Sequence, residues 1–338
     1  MIRPDLEAIP PYVPGVRDER AIKLSSNECA EGPLPPVLDA MRKALGEINR
    51  YPDIGALQLR AALGEHLGVA PEQVALGAGS SALCQQLVSI AAQPGDEVIF
   101  PWRSFEAYPI FVQVVGATPV RVPLGSDDRL DMPALAAAVT DRTKLIFICN
   151  PNNPTGTTIT GAEFAAFMDE VPADVLVVLD EAYFEYNHAA DTPVATEVIT
   201  RYPNVVGLRT FSKAYGLAGA RIGYAFGPRP IIEALNKVSI PFSVSAVAQE
   251  AALASLEAQE ALRARIDGTV AERSRVVEKL GLAESQANFV WLPDAGQELA
   301  DRLAAEGVLV RSFPEGTRVT VTNAEETDAL LEAFSRAQ

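Results

Sequence analysis

Through the first 240 residues, short apolar runs alternate with stretches whose apolar positions recur every three or four residues. The runs Val74–Leu76, Glu97–Phe100, Pro119–Val122, Leu145–Cys149, Val175–Leu179, Val205–Leu208 and Ile222–Phe226 read as strands. Between them, Ser81–Ala92, Pro133–Val139 and Gly161–Glu170 read as helices. Runs such as LIFIC and VLVVL have no polar position, so neither face of those strands is expected to meet water. The fold class expected is α/β, with a large, mostly parallel sheet between helices plus a smaller α+β unit. The pattern changes at Pro241: Val244–Leu280 is Ala/Glu/Arg-rich and helical, then come Phe289–Leu292, a helix near Gln297–Glu306, Val308–Val310, Arg318–Val321 and a last helix. The segment up to Pro36 is too polar and proline-rich to form a core alone. The expected division is a large unit at 37–240 and a small one from 1–36 with 241–338.

Composition narrows the function. With 28 Lys+Arg against 44 Asp+Glu, the net charge of −16 argues against a nucleic-acid or anionic-membrane surface. The longest apolar runs are far too short to span a bilayer, and the N-terminal stretch has no signal-like apolar core. Cys29, Cys84 and Cys149 are sparse and show no CxxC spacing, which fits a reducing, cytoplasmic setting. His66 and His188 are the only histidines and stand alone, so no metal site is expected.

Four segments carry candidate chemistry. In TFSKAYGLAGARIGY, Lys213 lies just past an apolar strand, flanked by Thr210 and Ser212 and followed by Arg221. Carboxyl ends of strands are where open α/β sheets bind ligands, and hydroxyls with a guanidinium suit a phosphate. Most single lysines are solvated charges, so placement is what singles this one out. In VLVVLDEAY, Asp180 also ends a strand, where a carboxylate needs a partner; a helix cap or ion pair is the plain alternative to a pyridinium nitrogen. Tyr183 follows three residues later. CNPNNPTG holds more Asn-Pro pairs than a turn requires and presents Asn153. Gly77-Ala78-Gly79-Ser80-Ser81-Ala82 fits a dinucleotide fingerprint, but the acids Asp96 and Glu97 open the next strand rather than end it, so a ribose partner is lacking. A phosphate at a helix N-terminus survives that objection.

Taken with NRYPD at Asn49–Asp53 and SSNE at Ser25–Glu28, these motifs resemble, in order and spacing over the whole chain, the fold-type I pyridoxal-phosphate aminotransferases. The likeness is to the histidinol-phosphate/aromatic amino acid subgroup. It implies pyridoxal 5′-phosphate held covalently by Lys213, with Asp180 on the pyridine nitrogen and Tyr183 and Asn153 on the ring oxygen. Gly79, Ser80, Ser81, Thr210, Ser212 and Arg221 would hold the phosphate, and Phe105, with Trp102 as its rival, would stack on the ring. Tyr51 would reach the other subunit's phosphate, which implies a homodimer with shared sites. Arg318 would grip the substrate carboxylate, near Asn27 and Tyr12.

The reaction implied is transamination between an aromatic amino acid and a 2-oxo acid, with histidinol-phosphate transamination as the alternative. A decarboxylase on the same fold is disfavoured because Arg318 would align Cα–H rather than the carboxylate for cleavage. A regulator of this fold lacks a DNA-binding extension here. Arg311 is expected as a second cation for a dicarboxylate, Phe242 as a wall of an aromatic pocket, and Glu31, where the subgroup's NENPxGP pattern is broken, as an obstacle to a substrate phosphate.

Overall fold

The computed structural model describes residues 2–337. Its main sheet has seven strands, introduced here with the others in chain order: β1 (Ile22–Lys23), β2 (Val74–Gly77), β3 (Glu97–Trp102), β4 (Thr118–Pro123), β5 (Thr143–Cys149), β6 (Leu176–Asp180), β7 (Val205–Thr210), β8 (Gly223–Phe226), β9 (Phe289–Pro293), β10 (Val308–Leu309), β11 (Arg311–Phe313) and β12 (Gly316–Thr320). The seven run in the order β2-β8-β7-β6-β5-β3-β4, and only β8 opposes its neighbours. All seven expected strands form, within a few residues of their expected ends.

Alternation explains the unbroken apolar runs. Ile146 and Ile148 of β5 enter the core on one face of the sheet, while Leu145, Phe147 and Cys149 enter the core on the other. Every position is inside, so no polar residue interrupts the run. The smaller sheet, β11-β12-β9, is antiparallel. A third core of Val290, Leu292, Leu303, Val319, Leu330 and Phe334 packs against it. Leu24 joins that core, and β1 pairs with β10, so the N-terminal segment folds onto this sheet.

The expected division at residue 241 is a proposal about folding units, and packing argues for moving it. Val244, Ala248, Ala251, Leu262 and Ile266 belong to the main sheet's core. The long helical stretch is two helices, Ala246–Glu257 and Gln259–Leu280, broken at Ala258 without a glycine or proline to mark it. The second begins in the main core with Leu262 and ends in the small one with Val276. The composition shift at Pro241 marks a change from strands to helices, not a change of core.

Behind the strand ends lies a buried ion pair. Arg209 of β7 meets Glu181, the residue after β6, at 2.8 Å, with both side chains almost wholly inside. Glu181 also accepts from the Ala195 backbone, and the guanidinium sits on the Phe184 ring. Removing one member of such a pair strands the other charge, at a cost of about 3–5 kcal/mol. Arg209→Ala should lose stability on that scale in urea unfolding, and Glu181→Leu combined with Arg209→Met should recover most of it. A loss below about 1 kcal/mol in Arg209→Ala would show that the pair holds nothing.

Candidate active site

Parallel strands β5, β6 and β7 finish at one edge, and the reversed β8 starts there, with Gly223 opposite both Thr210 and Gly77. The residues after β5, β6 and β7 therefore converge with Arg221, two positions before β8. They line a cleft of about 450 Å³ together with the small sheet and the N-terminal segment.

One end of the cleft is built for an anion. The chain leaves β2 through Gly79, at φ +80°, and enters the helix Ser80–Ala91, whose first turn has no side-chain cap. A Cβ on Gly79 would stand 2.3 Å from the Arg221 guanidinium, so only glycine lets the arginine in. Arg221 itself holds a left-handed φ of +57°; it donates to the Ala218 carbonyl at 2.9 Å and reaches Ser212 Oγ at 3.4 Å. Ser80, Ser81, Thr210 and Ser212 bring hydroxyls to the same place. Backbone N–H groups, hydroxyls and one fixed guanidinium fit a phosphate.

Deeper in, Asp180 ends β6 with one oxygen accepting the Tyr108 phenol at 2.5 Å and the other accepting the Ala182 amide at 3.2 Å. Burial pushes its carboxyl up to about 6, against the opposing pull of that phenol. Tyr108 is fully buried and stacks on Phe147, ring centroids 4.3 Å apart, so its hydroxyl cannot wander. Lys213 Nζ donates to the Ser26 carbonyl at 3.1 Å. Burial pushes its amine down to about 8, and the Arg318 and Arg221 guanidiniums push the same way.

Opposite these, Arg318 of β12 is buried, donating to the Ser25 carbonyl at 2.7 Å and to Asn153 Oδ1. Its Nε has no partner among the described residues. A buried guanidinium in the wall of a cleft, with an N–H left idle, has capacity for a further acceptor. Tyr183 accepts from Asn27 Nδ2 at 2.9 Å, and Asn27, in a left-handed conformation, is pinned by Thr320.

The cleft gathers Lys213, Asp180, Tyr183, Asn153, Ser80, Ser81, Thr210, Ser212, Arg221, Phe105, Arg318, Asn27 and Tyr12. Gly79 sits behind the arginine. Phe105 lines the cleft edge-on to Tyr108, whereas the Trp102 ring is covered by the Arg103 and Arg121 guanidiniums. Tyr51 is elsewhere: it is 81% exposed and stacks on Phe242. Two expectations need correction. Phe242 lines a different cleft, and Glu31 turns away to accept from Asn323 Nδ2, so neither shapes this one. Tyr108, Glu106, Ile110 and Phe111 escaped the sequence reading. Tyr108 opens a helix in SFEAYP, but nothing in the sequence ties it to a carboxylate 72 positions on.

Because the Asp180 carboxyl lies above its unfolded value of 3.8, its contribution to stability is complete below about pH 4 and lost as pH rises through about 6. The cofactor-free protein should therefore lose up to about 3 kcal/mol relative to Asp180→Asn between pH 4 and 7. Urea unfolding of both proteins across that range checks this; parallel curves would contradict it.

Comparison with known proteins agrees with this geometry. The aminotransferase class I and II family profile matches residues 19–334. An aromatic amino acid aminotransferase of Corynebacterium glutamicum is 63% identical over 99% of this chain and 98% of its own, and one of Corynebacterium diphtheriae is 60% identical over 99% and 98%. Among solved structures, histidinol-phosphate aminotransferase of Sinorhizobium meliloti in complex with pyridoxal-5′-phosphate superimposes with a TM-score of 0.87 at 33% identity, covering 94% of this chain and 90% of that one. A phosphate cradle, a buried carboxylate and a depressed lysine at one sheet edge, on a chain matched almost end to end, place this protein in the class I and II aminotransferase family.

Proposed function

We propose that this enzyme moves an amino group between an aromatic amino acid and a 2-oxo acid such as 2-oxoglutarate, using pyridoxal 5′-phosphate. The carrying observation is the meeting of Lys213, Asp180 and the idle Arg318 Nε in one cleft walled by Phe105, Ile110 and Phe111. The name shared by the Corynebacterium relatives supports the aromatic reading. The phosphate cradle fits the cofactor, as does Asp180 for its ring nitrogen and Tyr183 with Asn153 for its ring oxygen.

Bound there, the cofactor supplies an electron sink that acidifies the substrate α-proton. Asp180, buried and braced by Tyr108, keeps the ring nitrogen protonated. Lys213 is the amine that would bond the cofactor and, once released, carry the proton away from substrate Cα. An amine does this only if it spends time neutral, and burial with two nearby guanidiniums secures that near pH 8. Arg318 takes the α-carboxylate in its planar fork, which sets Cα–H, not the carboxylate bond, in line for cleavage. Two half-reactions sharing one site give ping-pong kinetics.

The site is proposed to work as a homodimer in the cytoplasm. Tyr51, exposed and remote from its own subunit's cradle, would reach the other's. Exposed Ile54, Ile240 and Phe242 around a neighbouring cleft of about 330 Å³ suit a second copy. The three cysteines are unpaired, and among the described residues no helix is long and apolar enough to cross a membrane.

Borohydride reduction and peptide mapping should place a pyridoxyl group on Lys213, not Lys144 or Lys237. Hybrid dimers of Tyr51→Phe and Lys213→Ala subunits should exceed both parents in activity; hybrids no better than the parents count against a shared site. With glutamate as donor, kcat/KM should favour phenylpyruvate over imidazole-acetol phosphate. A tenfold preference the other way, about 1.4 kcal/mol, would make histidinol phosphate the substrate.

A further inference from the structure

Resting on the aromatic reading, we propose that Glu106 is a specificity-determining residue, which occupies in this structure the place of a dicarboxylate's second carboxylate. Arg311 and Arg318 are direct cross-strand partners of β11 and β12, so both guanidiniums stand on the cleft side of the small sheet. Like charges placed opposite one another repel. Only one of the two is free. Arg311 Nη2 reaches both Glu106 oxygens at 2.9 Å, its Nε reaches Oε2 at 3.2 Å, and Nη2 also donates to the Val13 carbonyl at 3.0 Å. Among the described residues Arg318 meets no carboxylate, and its Nε has no partner.

An empty pair of arginines would demand a substrate with two anionic groups, because a ring pressed against an uncompensated guanidinium leaves that charge desolvated. Glu106 removes the demand. With its carboxylate on Arg311, the far end of the cleft is net neutral and bounded by Phe105, Ile110 and Phe111, which suits an aromatic side chain. A glutamate or 2-oxoglutarate side chain must instead compete with Glu106 for the same fork. The pair sits at the cleft rim, with side chains 16% and 26% exposed, where exchange needs no buried charge to be abandoned. Glu106 thus sets the balance between the two substrate classes that one site has to accept.

The test is steady-state kcat/KM for 2-oxoglutarate and for phenylpyruvate in holoenzyme carrying Glu106→Gln, with Glu106→Asp and Arg311→Gln alongside. Glu106→Gln should raise the 2-oxoglutarate to phenylpyruvate ratio at least tenfold, Glu106→Asp should stay within threefold of wild type, and Arg311→Gln should lower the ratio at least tenfold. A Glu106→Gln ratio raised by less than threefold, or lowered, overturns the proposal. Should Glu106→Gln fail to fold, an Arg311→Gln ratio that does not fall overturns it. Failure of the aromatic reading is separately visible, as a wild-type enzyme with no turnover of phenylpyruvate.

Discussion

A carboxylate kept away from water at the end of a strand is the constraint on which the site rests. Asp180 is buried with two donors, the Tyr108 phenol and the Ala182 amide, and among the described residues no cation is bonded to it. That is an uncomfortable arrangement for a lone protein, as the upward push on its pKa records. It would become favourable with a protonated ring nitrogen beside it, as proposed for the cofactor. The surrounding structure keeps the discomfort in place: the Glu181–Arg209 pair ties together the ends of β6 and β7, and Tyr108 is clamped by stacking. On the proposed assignment, binding of the cofactor would relieve this cost.

The same logic governs Lys213 and Arg318 from opposite sides. Lys213 is held near neutrality by burial and by guanidiniums; Arg318 is held charged but incompletely bonded. Each lines the same cleft with hydrogen-bonding capacity to spare among the described residues. Specific ligands are selected by such leftover capacity, since a molecule that cannot complete the bonds leaves buried polar groups unpaired.

How much of this was legible in the sequence differs by kind of residue. The strands were readable because a sheet covered on both faces removes polar positions from each run, as in LIFIC. The convergence of Asp180, Lys213 and Arg221 on one cleft was readable because each stands at or near the end of a main-sheet strand, and so advertises itself by position. Tyr108 and Glu106 were not, because each acts through a partner far away in the chain, Asp180 in one case and Arg311 in the other. Phe242 and Glu31 misled for the converse reason: composition near a substrate loop says nothing about which way a side chain turns. The break at Ala258 has no local signal: no glycine or proline marks it, and the helices on both sides of it pack on the main core.

The helix Gln259–Leu280 has a mechanical meaning. Its 22 residues make a rod about 33 Å long, rooted by Leu262 and Ile266 beneath the main sheet and by Val276 in the small one. Arg273, near its far end, donates to the carbonyls of Tyr186 and Ala287, a loop from each side. A rod rooted in both cores couples them, so a substitution that loosens one core is felt along the helix by the sheet that carries Arg318.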